Sequence, residues 1–145
     1  MRIRLFTILF LLISFIGFID AIYLTGRYYS GDPITCSFNF LSACDSVTMS
    51  AHAIVFGVPV ALLGAGYYIT LFMLAAASFI MFNGRLLTIA SYATVFGLAA
   101  SVWFVYVQAF VLNAFCLYCI ISAVTTLLLF IMGVLYVLYY RKAHE

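Results

Sequence analysis

Charge is what this sequence has least of. Lysine and arginine together number 6, and aspartate and glutamate 4, in 145 residues. A soluble domain carries about 25% charged residues. A water-facing surface cannot be built from so few, and the chain reads as a single all-α integral membrane domain. The net charge of +2 gives no support to a nucleic-acid surface, which needs clustered positive charge. The nucleotide signature Gly-x-Gly-x-x-Gly is absent, as is the haem-attachment signature Cys-x-x-Cys-His. Neither an internal repeat nor a low-complexity segment is present.

What fills the chain instead is hydrocarbon. Apolar residues run through about Leu5–Leu24, Ala53–Met81, Leu86–Val111 and Ala114–Tyr140. Each run is long enough to cross a bilayer, which takes about 20 residues. The expected fold is a four-transmembrane-helix bundle. Met1-Arg2-Ile3-Arg4 before the first run resembles the start of a signal peptide. The run is longer than a typical signal core and no small-x-small site follows it, so a retained helix is expected.

The few basic residues orient the bundle. Arg2, Arg4, Arg85, Arg141 and Lys142 fall on one side, and only Arg27 on the other, with Asp32 and Asp45. Positive charge collects in the cytoplasm. A multi-pass plasma-membrane protein with both termini cytoplasmic is therefore expected. The loop at about 27–52 and the short turn before the fourth span then face outward. All the cysteines follow: Cys36 and Cys44 lie in the outer loop, Cys116 and Cys119 at the outer end of span four. That is the side on which disulfides persist.

Within the outer loop, Gly31-Asp32-Pro33 is turn chemistry. Ser42-Ala43-Cys44-Asp45 resembles a capping box with a shorter acid. A short interfacial helix is expected from about Ala43 to Ala51, burying Val47 and Ala51. Ser50 and His52 follow at the mouth of span two. In span two, Gly57, Ala61 and Ala65 recur every four residues with Gly64 beside them, a face that lets another helix come close. Asn83-Gly84 is expected to make the tight turn to span three. There Trp103, Phe104, Tyr106 and Gln108 cluster, as an interfacial belt or as rings flanking a flat ligand. Asp20 lies inside span one. An intramembrane acid is costly and marks a functional site, here a proton donor or acceptor near a redox centre, against the plainer reading of an acid reaching the interface.

Cys116-Leu117-Tyr118-Cys119 is the stretch around which the rest is arranged. With Asn113 as N-cap, the sulfurs would share one face of the first turns. The helix dipole would favour the Cys116 thiolate. Cys116 would face water and Cys119 hydrocarbon. Structural staples and a zinc site are the alternatives. A Cys-x-x-Cys bridge closes too short a loop to stabilise much, and the spacing of Cys36 and Cys44 is loose for zinc; no metal is expected. Thiol–disulfide exchange fits best, with a membrane-soluble electron acceptor such as a quinone.

These features together resemble the vitamin K epoxide reductase family in its prokaryotic, unfused form. The resemblance rests on four spans, Cys36 and Cys44, Ser50 after them, the run Phe56-Gly57-Val58-Pro59-Val60-Ala61-Leu62-Leu63-Gly64, and Cys116-Leu117-Tyr118-Cys119. It implies a bundle around a quinone, menaquinone, ubiquinone or similar, capped by the outer loop. It implies Cys36 and Cys44 as a shuttle pair and Cys116 and Cys119 as the active site. It further implies oxidation of a separate thioredoxin-like partner, with Ser50, Asp20, His52 and Phe56 near the quinone. Animal members carry an asparagine and a tyrosine where this chain has Ala53 and Ala123. Disulfide formation is thus expected ahead of quinone or quinone-epoxide reduction for its own sake. DsbB-type oxidases carry their cysteine pairs in the reverse order. A non-catalytic scaffold braced by disulfides or a metal is the reading of another class.

Overall fold

The computed structural model describes residues 2–34, 36 and 43–144, with side chains as far as Tyr139. Ser42, and with it half of the expected capping box, lies outside them. The long helices are α1 (Arg2–Ser30), α3 (Val60–Met81), α4 (Gly84–Tyr106) and α5 (Leu117–His144). All are apolar enough to cross a membrane. The chain is an integral membrane protein with the expected four-helix bundle. Round the bundle the order of neighbours is α1, α3, α4, α5 and back to α1, so α1 and α4 face each other diagonally.

The surface is inverted relative to a soluble protein. Leu5, Leu12, Ile16, Met73 and Leu135 point outward, while Ser14, Ser91, Thr94 and Thr126 are buried. Lipid is as apolar as leucine, so helices associate through close packing and hydrogen bonds rather than hydrophobic burial. Tyr68 is the main tie. Its hydroxyl meets Thr126 Oγ1 at 2.7 Å and Ser122 Oγ and Thr125 Oγ1 at 3.0 Å, and it donates to the Ser122 carbonyl at 2.8 Å. Gly17 of α1 lies under the Tyr68 ring, where a Cβ would collide with it. One tyrosine thereby locks α3 to both α1 and α5.

Span two is shorter than its apolar run. Its first residues form a 3₁₀ turn (Ala51–Ala53) and a small hairpin pairing β1 (Ile54–Val55) with β2 (Val58–Pro59). Phe56 and Gly57 both take positive φ, 53° and 75°, at its tip, as a two-residue hairpin turn requires. Gly57 therefore leaves the helical small face, while Gly64 of that face lies by α1, where an added Cβ would meet Ala21 Cβ at 3.8 Å. Asn83 caps α4 through a 3.1 Å bond from the Arg85 amide, so the expected turn to span three forms there.

The outer loop helix, α2 (Cys44–Thr48), is shorter than expected and has no side-chain cap at Ala43. It buries Val47 as expected but stops before Ala51, which is exposed. The end of span three also departs from a regular helix. Val107–Val111 form a π-turn, closed by Leu112 N–H to the Val107 carbonyl at 2.9 Å. Asn113 follows with φ 47°. It ends span three rather than capping span four.

Candidate redox site

The break after α4 sets the active end of the molecule. The π-turn swings Gln108 inward, buried, and its Oε1 accepts the Cys116 amide at 3.1 Å. The chain then enters α5 with Cys116, not Asn113, in the N-cap position. Ile120 N–H bonds the Cys116 carbonyl at 3.1 Å, and Cys119 N–H points at Cys116 Sγ at 3.3 Å. That is the N3-amide-to-cap bond a serine or aspartate would make, with sulfur as acceptor. The helix dipole is thus aimed at Cys116.

Cys116 precedes the span and is fully buried, so it does not face water as the sequence suggested. The neighbouring Cys119 thiol, hydrogen-bonded to its sulfur, holds the Cys116 thiol below its ordinary range. The Cys119 and Tyr118 amides and the Thr48 hydroxyl act the same way, against the opposing effect of burial. Cys116 is covered from the segment between the first two spans, by Cys44 and Val47. Cys44 is buried beside it in one apolar cluster with Leu24, Ile34 and Val47. Cys44 Sγ accepts the Leu117 amide at 3.3 Å, so sulfurs of both pairs sit at one helix end. Cys44 is disulfide-bonded to Cys36 with Cα atoms 6.3 Å apart, while Cys116 and Cys119 are free thiols. The disulfide removes two of the four sulfurs from any zinc set. Above, the Tyr23 ring packs on Tyr118 at 4.9 Å and Arg27 lies over Tyr23 at 5.4 Å.

Cys119 lines a cavity of about 370 Å³ between the helices, within the range of small-ligand sites. Its walls are mostly apolar, from Leu24, Ala61, Gly64, Phe96, Gly97, Ala100 and Phe104. Asp20, Ser50 and His52 line it too. Asp20 Oδ2 is buried and unpartnered, whereas the Ser50 hydroxyl is taken by the Val47 carbonyl at 2.8 Å. Phe56 is not there: the hairpin tip carries it away, fully exposed. Trp103 faces outward, stacked on Tyr106, while Phe104 turns into the cavity.

Residues 8–134 match the sequence profile of the vitamin K epoxide reductase family. The chain belongs to this family. Its members are membrane redox enzymes acting in general on quinone-class substrates. No curated protein matches the chain.

Three site residues were not foreseen: Gln108 as a partner of Cys116, Thr48 beside the Cys116 sulfur, and Tyr67 on the cavity wall. Thr48 lies one turn after Cys44, a spacing that brings side chains to one helix face and that was available as a signal. Gln108 depends on a π-turn that no hydropathy pattern marks.

Proposed function

We propose that this enzyme oxidises a thioredoxin-like partner outside the plasma membrane and delivers the electrons to a quinone, supporting disulfide formation. The observation that carries this reading is the placing of Cys44 and Cys116 at one helix end with Cys119 opening into the cavity. The cavity suits a quinone: flat apolar walls, with unpartnered polar atoms among them.

The steps begin with both pairs oxidised. A partner thiolate attacks Cys36, the less buried loop sulfur, and releases the Cys44 thiolate. Cys44 attacks Cys116, and the Cys116–Cys119 bond breaks with Cys119 leaving as thiolate. The partner's second thiol displaces Cys36 and carries away the new disulfide. Cys36 then attacks Cys44, reforming the loop disulfide and freeing Cys116. Two electrons have moved inward, and the loop disulfide with reduced Cys116 and Cys119 is the resulting state. A bound quinone supplies a two-electron, two-proton acceptor. Cys119 is the donor facing it, Cys116 closes the disulfide behind the electrons, and Asp20 holds a proton at Oδ2 on the cavity wall.

The test is the visible spectrum of Cys116→Ala protein reconstituted with quinone. A long-wavelength thiolate–quinone band is expected, lost on adding Cys119→Ala. Bound quinone without the band removes Cys119 from the donor role. A protein that binds no quinone and traps no mixed disulfide is a scaffold.

A further inference from the structure

Three side-chain oxygens on the cavity wall are buried without a partner: Asp20 Oδ2, Thr48 Oγ1 beside Cys116, and the Tyr67 hydroxyl. Buried polar groups are nearly always paired, and each exception asks for an explanation. The Asp20 atom has one in proton transfer. The Tyr67 hydroxyl has no role in the steps above.

Its position is fixed on every side. The ring packs edge-on against Tyr68 at 5.3 Å, and Tyr68 is itself held by α5 through Ser122 and Thr126. Tyr67 starts from α3 but its oxygen comes to rest on α4, at Gly97. A Cβ on Gly97 would fall on the phenol oxygen, so the glycine is what leaves room for it. Asp20 hangs from α1, diagonal to α4 in the bundle. The Asp20 and Tyr67 oxygens therefore belong to opposite walls. The positions Ala53 and Ala123 also line the cavity and offer no side-chain polar atom.

Resting on the quinone reading, we infer that the Tyr67 hydroxyl donates a hydrogen bond to a quinone ring carbonyl, the one remote from Asp20. A para-quinone has oxygens at opposite ends of a flat ring, and two polar groups on facing walls with apolar surface between them match that outline. The hydroxyl is held in place before the ligand arrives, so little ordering is needed on binding. The bond withdraws charge from the ring and selects ligands with a second oxygen at the far end.

The probe is 2-methyl-1,4-naphthoquinone, isotope-labelled at its carbonyls, bound to the full chain in detergent or lipid. In the native protein one carbonyl stretch is expected at lowered frequency. Tyr67→Phe returns it toward the free value and weakens binding about three- to tenfold, the range for one neutral hydrogen bond. Gly97→Ala, which displaces the hydroxyl, produces the same two changes. The double variant binds no more weakly than Tyr67→Phe alone. Thermal stability of Tyr67→Phe stays level or rises, because the lost hydroxyl had no protein partner. Bound quinone with unchanged affinity and unchanged carbonyl bands in Tyr67→Phe overturns the inference and leaves the quinone reading standing. Absence of quinone binding to the native protein removes both.

Discussion

The two ends of this bundle are built to opposite rules. Away from the cysteines, Phe10, Leu71, Leu87 and Leu129 are fully buried in one apolar cluster, and the hydroxyls beside them are paired. Ser14 and Ser91 donate to carbonyls one turn back, at 2.9 and 2.8 Å, and Tyr68 has several partners. At the cysteine end, helix geometry is broken by a π-turn, Asn113 and Phe56 take positive φ, and Asp20, Tyr67 and Thr48 carry unpartnered oxygens. Apart from Phe82, whose φ of 52° ends α3, local rules are kept at the packed end and broken around the cysteines. Under the proposed function, a hydrogen bond left unmade in the cavity wall is capacity held for the quinone.

If the division is real, changes at the two ends fail in different ways. The largest effect is expected from Cys119→Ala. Turnover of partner dithiol to quinol should fall at least about a thousandfold, as for loss of a covalent catalytic group, with the melting temperature nearly unchanged. With no Cys116–Cys119 bond left for Cys44 to attack, excess reduced partner should leave Cys36 and Cys44 as thiols, visible by alkylation and peptide mapping. Next comes Gly17→Leu at the packed end. It drives atoms into the Tyr68 ring and should cost about 1–3 kcal/mol or more, read as a lowered unfolding midpoint. The redox activity of the molecules still folded should be preserved. Equal loss of activity per folded molecule would break the division.

Gln108→Leu tests the seam between the two ends. It strands the buried Cys116 amide, at a cost of about 1–3 kcal/mol, and loosens the entry to α5. Stability and exchange rate should fall together, unlike either case above.

How much of this was legible in the residues depends on the rule each part obeys. The spans follow from apolar length, which the bilayer enforces directly, and the cysteine pairs were legible because sulfur chemistry is confined to few residues. The start of α5 was misread. An asparagine before an apolar run is a good cap by propensity, but Asn113 was needed at φ 47° to end the π-turn, and the cap passed to Cys116. The apolar run of span two hid a hairpin at Ile54–Pro59, since Val-Pro-Val reads equally as strand or helix entry. Tyr67 was invisible among 11 tyrosines. What marks it is a glycine thirty residues on, and that relation exists only in three dimensions.

The smallest effect expected is at Thr48, and it bears most directly on why the reactive end tolerates unpaired groups. The Thr48 hydroxyl has no oxygen or nitrogen partner yet helps hold the Cys116 thiol below its ordinary range. Thr48→Val keeps the shape and removes the dipole. Charge on sulfur is then less favoured, so the Cys116 pKa rises and less thiolate is present at any pH below it. The ultraviolet thiolate absorbance of Cys116, taken as the difference from a Cys116→Ser protein, should titrate at higher pH. Where exchange is limited by thiolate fraction, its rate below that pH should drop about two- to fivefold. Stability should hold or rise slightly, because no hydrogen bond between fixed partners is lost. A titration that does not move, with stability reduced, would make Thr48 a packing residue and shift the tuning of Cys116 wholly onto Cys119 and the helix end.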